Sequence, residues 1–353
     1  MKGKPIKFKP DGAFDRRSFL KLSGLLGLGL AAPGIIPTSA EALKFNRKAY
    51  KVSMTRLAMG TFVSMTLIHP SRDRAEEAMG EAFKEIERLS RSLSRFDATA
   101  AVAQLNREGS LKDLPPEVTQ VVARSMDYYR LTRQRFDITV KPVVDLFKDK
   151  FTGDNPVPPC ENELEKTLEL VGSDKIIVKR RSIRFKQPGM GITLDGIAKG
   201  YIVDRASGIL AGHQIKNYLI NAGGDIRTKG SQSEKKAWTV AIQDPQKKQN
   251  YPDVIHLTDA AVATSGNYEI YFDREKVFHH IVDPKTGVSP ELNISVSVIA
   301  RTAMDADALS TSLFVMNPTQ ASHFVGSIPG CECFIIAKKG KIVKSPGWKS
   351  SAT

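Results

Sequence analysis

Apolar and polar residues follow two different periods along this chain, and these periods predict its helices and strands. Residues 74–94 repeat apolar side chains at the three- and four-residue spacing of one helix face. That stripe consists of Ala78, Met79, Ala82, Phe83, Ile86, Leu89 and Leu93. Similar segments at 197–210 and 304–314 predict two more helices. A fourth is predicted over 117–131, where Pro115 and Pro116 precede the first turn.

Strand-like segments are short and closely spaced. Residues 61–68 alternate apolar and polar side chains with the period of two that a strand requires. Further strand-like segments lie at 175–178, 182–185, 218–221, 238–242, 261–263, 295–300 and 333–337. Because only occasional helices interrupt them, this order favours an α+β fold with largely antiparallel sheets and packed helices over a doubly wound fold.

Residues 43–353 are predicted to form a single functional unit with a sizeable core. The best linker segment, residues 151–159, is predicted to be a loop between two lobes and is too short to tether independent domains. The three cysteines provide no disulfide framework. Simple packing of the thiols is the favoured interpretation, and a redox pair of Cys331 and Cys333 is the alternative.

The start of the chain is predicted to be a cleaved export signal covering residues 1–42. Arg16 and Arg17 precede Ser-Phe-Leu-Lys and resemble a twin-arginine signal. The fifteen residues from 22 to 36 are uncharged and largely apolar, which falls short of the roughly twenty needed to span a bilayer. Residues 40–42 form a small-x-small cleavage pattern. We therefore expect a periplasmic protein, located at or near the inner membrane.

The net charge of the chain is +14. Residues 1–42 contain seven Lys or Arg and three acidic residues, so they contribute +4 and leave +10 for the rest. A positive surplus favours an anionic partner such as a nucleotide. The basic residues are dispersed and lack zinc-finger spacing, so no nucleic-acid partner is predicted.

Residues 264–311 hold the best candidate active site. Asp307 and Thr311 are four residues apart in the predicted helix 304–314, so their side chains should share one face. A carboxylate beside a hydroxyl suits Mg²⁺, which prefers hard oxygen ligands. His280 is the candidate general base, because the ordinary histidine pKa lies close to neutrality. A satisfied structural histidine is the alternative.

Two glycine-containing segments invite a phosphate-binding interpretation. Residues 195–201 open a predicted helix, whose free amides and Lys199 could receive phosphate. Gly223 and Gly224 follow a predicted strand and allow a sharp turn or close approach to a ligand. Neither segment matches the P-loop or the dinucleotide fingerprint, and glycine turns without a ligand are the alternative.

Eight short segments form an ordered series along the chain. They are Met59-Gly60-Thr61, Ser94-Arg95-Phe96-Asp97 with Asn106, and residues 136–142, 194–201, 221–225, 264–266, 280–284 and 307–311. In this order they resemble the motifs of the FAD:protein FMN transferases, the ApbE family. The resemblance runs from about residue 55 to residue 337. It implies a T-fold-like, ApbE-like architecture.

The resemblance also implies a reaction and a set of site residues. The family cleaves FAD at its pyrophosphate and attaches FMN by a phosphoester bond to a threonine or serine of a partner protein, releasing AMP. It implies Mg²⁺ bound by Asp307, Thr311 and a backbone carbonyl near Gly196, with His280 as the base. The implied FAD contacts are Met59, Phe96, Arg135, Phe136, Asp137, Thr193, Lys199 and the neighbourhood of His279.

The chain departs from the family pattern at two places. Thr193 stands where the family usually has aspartate, and Asp195 lies two positions later. Ala100 and Ala101 replace a common Ser-Glu pair. These departures concern flavin affinity more than reaction type.

Two other functions stay open: a Mg²⁺-dependent FAD pyrophosphatase and a non-catalytic flavin-binding accessory protein. The acceptor implied by the resemblance is a flavinylated respiratory subunit or a membrane regulator of nitrous-oxide reduction.

Overall fold

The computed structural model describes residues 41–46, 49–152, 156–233, 236–246, 251–268 and 278–351. The predicted export signal therefore lies outside the described residues, except for Glu41 and Ala42, which belong to the first strand. None of the described helices is long and apolar enough to cross a membrane.

The described residues form an α+β fold, which confirms the predicted class. Its helices are α1 Arg72–Ser92, α2 Ala101–Glu108, α3 Pro116–Leu131, α4 Lys141–Thr152, α5 Glu161–Leu168, α6 Ala198–Gly212, α7 Ala303–Phe314 and α8 Pro318–Gly326. Its strands are β1 Glu41–Asn46, β2 Ala49–Ala58, β3 Thr61–His69, β4 Ser110–Leu111, β5 Ile176–Lys179, β6 Ser182–Phe185, β7 Asn217–Ala222, β8 Asp225–Lys229, β9 Trp238–Ile242, β10 Asp253–Leu257, β11 Ala261–Gly266, β12 Asn293–Ala300, β13 Glu332–Ala337 and β14 Ile342–Lys344.

Nine of the described strands form the main sheet in the order β1-β2-β3-β7-β8-β11-β12-β13-β14. Every neighbouring pair in this sheet is antiparallel. Two small sheets accompany it, one of β9 and β10 and one in the order β4-β6-β5. The prediction of largely antiparallel sheets is therefore confirmed.

Helix α1 shows why the predicted helices form where they do. Its N-cap is Ser71, whose side chain accepts a hydrogen bond from the backbone of Arg74. All seven residues of the predicted apolar stripe are buried. They pack in the largest hydrophobic cluster, which joins α1, α6 and α7 to the main sheet. The period of 3.6 residues thus predicted both the helix and the face that it buries.

A second hydrophobic cluster involves strands β9 and β10, Val262 and Phe334 of the main sheet, and Trp348 of the C-terminal segment. Asp253 in β10 ties the C-terminal segment to this cluster. Its carboxylate accepts hydrogen bonds from Lys344 Nζ at 2.8 Å, Trp348 Nε1 at 2.9 Å and Ser350 Oγ at 2.6 Å.

The predicted loop at 151–159 begins later than expected. Phe151 and Thr152 belong to α4. The ring of Phe151 packs against Phe147 and Phe278, with centroid distances of 6.4 and 5.4 Å, and this packing extends the helix. Residues 153–155 lie outside the described residues.

Candidate active site

Helix α7 carries Asp307 and Thr311, and its first turn is held by two polar side chains. Thr302 Oγ1 accepts a hydrogen bond from the backbone of Asp305 at 3.1 Å. Asp204 of α6 accepts from the backbone of Ala303 at 2.9 Å and of Met304 at 2.8 Å. These amides would otherwise have no partner within the helix. The start of α7 is therefore fixed to α6.

Gly200 lets α6 and α7 approach each other closely. A Cβ atom at this position would lie 2.3 Å from the carbonyl oxygen of Ala303. The backbone N–H of Gly200 donates to Asp307 Oδ2 at 3.0 Å. The absence of a side chain at Gly200 thus allows the contact that orients the Asp307 carboxylate.

The three predicted metal-site residues come together in the structure. Asp307 and Thr311 share one face of α7, as their spacing predicted. A Cβ atom on Gly196 would lie 3.0 Å from Thr311 Oγ1. Ser265 at the end of β11 adds a further hydroxyl, with its Oγ 3.3 Å from Thr311 Oγ1.

Asp225 is a site residue that the sequence reasoning missed. It is 1 % exposed, and Lys199 Nζ lies 3.3 Å from its Oδ1. Its carboxyl group also lies against that of Asp307. Burial raises the pKa of Asp307 well above its ordinary value, and the negative charge of Asp225 raises it further, whereas Lys199 lowers it. The chain here holds two buried carboxyl groups beside one ammonium group.

This donor set suits a hard cation. Asp225 Oδ2 is buried and receives no hydrogen bond from any described residue. Within the described ranges no three His, Cys, Asp or Glu side chains form a metal-binding group, so a cation here would also need hydroxyl or backbone oxygens. Thr311 and the backbone near Gly196 provide such oxygens beside the two carboxyl groups.

Met59 lies in a hairpin turn next to the turn that precedes Asp225. Met59 and Gly60 have φ angles of 52° and 70° and join β2 to β3. Gly223 donates its N–H to the carbonyl of Phe62 at 3.2 Å. A Cβ atom on Gly223 would lie 2.5 Å from Thr61 Oγ1. Two motifs far apart in sequence are thereby neighbours at the same end of strands β3 and β7.

Phe96 is on the surface beside the loop that precedes α6. Its side chain is 71 % exposed, and the guanidinium carbon of Arg95 lies 4.3 Å from the centroid of its ring. Arg95 Nε donates to Asp195 Oδ2 at 3.0 Å. The Phe96 segment is therefore linked to residue 195, which immediately precedes Gly196.

The run from 135 to 137 contributes one link between motifs and two buried side chains. Arg135 Nη1 lies 2.8 Å from Asp283 Oδ2, which joins this run to the His-Ile-Val-Asp-Pro motif. Phe136 is buried, with its ring 5.9 Å from that of Tyr128. Asp137 caps the short 3-10 helix Ile138–Val140.

Asp137 is fully occupied by hydrogen bonds within the protein. Its carboxylate accepts from Thr139 N and Oγ1 and from Ser173 N and Oγ, at 2.6–3.1 Å. Burial raises the pKa of Asp137, and these hydrogen bonds act in the opposite direction. Capping of the 3-10 helix and the hydrogen bonds from Ser173 occupy this carboxylate, and its contact with FAD stays a prediction.

The adjacent histidines His279 and His280 occupy different environments. His279 is 2 % exposed, its Nε2 lies 3.2 Å from the carbonyl oxygen of Pro290, and its ring meets the ring of Phe314 edge-on at 5.5 Å. His280 is half-buried. Residues 269–277, which precede this pair, lie outside the described residues. The roles assigned to both histidines stay predictions.

Thr193, at which the chain departs from the family pattern, makes structural hydrogen bonds. It is buried, and its N–H donates to the carbonyl of Ile138 at 2.7 Å. Its Oγ1 accepts from the backbone of Asp195 at 3.2 Å. Asn106 holds the preceding residue, Ile192, through hydrogen bonds to both its N–H and its carbonyl. The loop that leads to Gly196 is thus fixed to two other motifs.

Comparison with known proteins assigns this chain to a family. A family model described as the ApbE family matches residues 59–335, well over half of the chain. The chain belongs to the ApbE family.

Relatives of this ApbE chain include named enzymes and solved structures. The FAD:protein FMN transferase of Haemophilus influenzae is 29% identical over 309 residues, covering 82% of this chain and 88% of that protein. That of Escherichia coli K12 is 29% identical over 307 residues, covering 83% and 86%.

The crystal structure of the ApbE protein from Thermotoga maritima has a TM-score of 0.75 at 31% identity, covering 84% of this chain and 97% of that one. The flavin transferase ApbE from Vibrio cholerae has a TM-score of 0.73 at 25% identity, covering 84% and 98%. The predicted ApbE-like architecture is therefore confirmed.

Proposed function

We propose that this protein is a Mg²⁺-dependent FAD:protein FMN transferase. It cleaves the pyrophosphate of FAD, attaches FMN to a threonine or serine hydroxyl of a partner protein and releases AMP. The observation that carries the proposal is the meeting of Asp307, Thr311, Gly196, Asp225 and Lys199 at one point. Oxygen donors for a divalent cation beside a lysine are what a pyrophosphate substrate requires. The names of the relatives support the same reaction.

The residues of this chain divide the work of phosphoryl transfer. Asp307, Thr311 and the backbone near Gly196 would hold Mg²⁺, with Asp225 beside them. The cation, when bound, neutralises charge on the pyrophosphate oxygens. Lys199 Nζ lies 3.3 Å from Asp225 Oδ1, and its positive charge suits an anionic substrate. Met59, Phe96 and Arg135 are the proposed FAD contacts on the surrounding turns.

His280 is the proposed general base. It accepts the proton of the acceptor hydroxyl while that oxygen forms its bond to the FMN phosphorus and the bond from phosphorus to the AMP oxygen breaks. A positioned base contributes about 10²–10⁴-fold to such a step. Burial of the neighbouring His279 and the Arg135–Asp283 ion pair support an ordered backbone around His280.

The decisive experiment follows the fate of the FMN group. Purified protein is incubated with FAD, MgCl₂ and a membrane extract of the cells that produce it. Proteins are then separated under denaturing conditions and inspected for covalent flavin fluorescence. Mass spectrometry should locate FMN on a threonine or serine of one extract protein, with AMP released in equal amount. No AMP in the presence of Mg²⁺ would contradict the proposal.

The FAD pyrophosphatase is the second candidate function, because the same site would serve when water replaces the acceptor hydroxyl. Release of FMN and AMP in equal amounts, without any protein-bound flavin, would identify it. Binding of FAD without either product would instead identify a non-catalytic flavin-binding protein.

We also propose export through the twin-arginine route to the periplasm, with an acceptor in or at the inner membrane. The support is the sequence of residues 1–42. Because Arg and Lys differ where guanidinium geometry is recognised, replacing both Arg16 and Arg17 by Lys should leave the precursor in the cytoplasm. Cell fractionation with an antibody against the protein tests this, and normal periplasmic accumulation of the double variant would refute it.

A further inference from the structure

We propose that Arg95 is a positioning residue for FAD. It covers one face of the Phe96 ring, and Asp195 and Asp145 hold it there, so that the other face receives an aromatic ring of FAD. This inference rests on the proposed function and deepens it, because it names the device that would present Phe96 to the substrate.

The ring of Phe96 is accessible at the surface of the protein. The side chain of Phe96 is 71 % exposed, and a free ring on the surface would adopt several rotamers. Here Ser94 Oγ accepts from the backbone N–H groups of Phe96 and Asp97 at 3.1 and 3.2 Å. The backbone that carries the ring is therefore fixed, and the ring remains available.

The guanidinium of Arg95 lies over the Phe96 ring. Its carbon lies 4.3 Å from the ring centroid, within the range of a cation–π contact. The side chain of Arg95 is only 12 % exposed, although its neighbour Phe96 is on the surface. Because a planar guanidinium can lie flat on a ring, it supports one face and leaves the opposite face open for stacking.

Two aspartates hold the side chain of Arg95 in place. Its Nε donates to Asp195 Oδ2 at 3.0 Å, and its Nη1 lies 3.7 Å from Asp145 Oδ1. Asp195 belongs to the loop whose next residue, Gly196, contacts Thr311. Asp195 therefore links Arg95 to this loop. It couples the position of the stacking ring to the loop at the proposed metal site.

Equilibrium binding of FAD tests this assignment, with flavin fluorescence as the readout. Arg95→Ala should raise the Kd by about two- to five-fold, the value of one exposed cation–π contact. Phe96→Ala should raise it by at least about fivefold, because stacking on the ring is lost. Asp195→Asn should have a smaller effect than Arg95→Ala. Arg95→Lys should restore only part of the affinity, since an ammonium cannot lie flat on the ring.

Arg91→Ala is the matched control, because it removes an exposed arginine from the end of α1, whereas the cation–π contact described for Phe96 comes from Arg95. It should leave the Kd unchanged. In the Phe96→Ala background, Arg95→Ala should have no further effect, because the positioned ring is absent. Parallel titrations with ADP and with FMN show which half of FAD stacks.

Two results would overturn the inference. One is equal FAD affinity of folded Arg95→Ala and Arg91→Ala proteins. The other is an undiminished effect of Arg95→Ala in the Phe96→Ala background, since Arg95 would then act on the phosphates by charge alone. Failure of the unaltered protein to bind FAD would overturn the proposed function as well, so the two failures are distinguishable.

Discussion

Gly200→Ala should uncouple the two helices that build the proposed metal site. The added Cβ would lie 2.3 Å from the carbonyl oxygen and 2.5 Å from the carbonyl carbon of Ala303. Both atoms belong to backbone, so a rotamer change cannot relieve the overlap. The helices must separate by about 1 Å to reach ordinary contact. The hydrogen bond from Gly200 N to Asp307 Oδ2, now 3.0 Å, would then break.

The size of the effect follows from two costs and one gain in the free energy of folding. Overpacking typically costs about 1–3 kcal/mol, and loss of a hydrogen bond to a carboxyl group costs about 1.5–3 kcal/mol. Alanine recovers up to about 1 kcal/mol of helix propensity. We expect a net loss of about 1.5–5 kcal/mol, which lowers Tm by about 2–8 °C for a chain of this size. Displacement of Asp307 by about 1 Å should lower turnover by about 10²-fold.

Gly208→Ala provides a matched control in the same helix. No atom lies within 4 Å of a Cβ at this position. The substitution should therefore stabilise α6 by about 0.5–1 kcal/mol and leave turnover unchanged. Thermal unfolding gives Tm for both variants, and AMP release from FAD at saturating Mg²⁺ gives turnover. The same Tm and turnover for Gly200→Ala and Gly208→Ala would refute the reasoning.

Three further substitutions test other parts of the molecule. Asp307→Ala should abolish Mg²⁺-dependent AMP release while FAD still binds, because most of the flavin contacts lie elsewhere. Turnover near that of the unaltered protein would show that the metal site is wrongly placed. His280→Asn should lower the rate of FMN transfer by about 10²–10⁴-fold in timed assays, while slow hydrolysis of FAD persists. An unchanged rate of transfer would show that His280 has a structural role. Burial opposes ionisation of Asp253, but hydrogen bonds from Lys344, Ser350 and Trp348 lower its pKa overall. Its contribution to stability is therefore present above the unfolded-state pKa of about 3.9 and is lost as pH falls through the lower folded-state pKa. Asp253→Asn should cost about 1–3 kcal/mol at pH 7 in urea unfolding and progressively less below pH of about 4; a pH-independent difference would contradict this.

Local sequence patterns predicted the helices and strands that have a clear period. The strands β6 Ser182–Phe185 and β9 Trp238–Ile242 have the predicted bounds, and α7 begins one residue earlier than expected. Strand β8 Asp225–Lys229 was missed because its residues, Asp-Ile-Arg-Thr-Lys, have few apolar positions. Its place in the sheet depends on pairing with β7 and β11, which no local period encodes.

The candidate site was predictable where its residues are close in sequence. The four-residue spacing of Asp307 and Thr311 is a helical property, so it could be read from the chain alone. The role of Asp204 could not, because it depends on the packing of α6 against α7 about a hundred residues later. Nothing local distinguishes this aspartate from a solvent-exposed one.

Asp225 shows why motif order predicted the family but left part of the site unassigned. The paired glycines before it were recognised as a turn, and both have positive φ, 59° and 100°. That turn reverses the chain directly into β8, which begins with Asp225 paired to Ala222. Since β8 lies beside β11 and α7 packs on β11, the carboxyl group is carried beneath α7 and meets Asp307. The glycine turn therefore has a structural role that requires no bound phosphate, because it places the carboxyl group of Asp225 at the site.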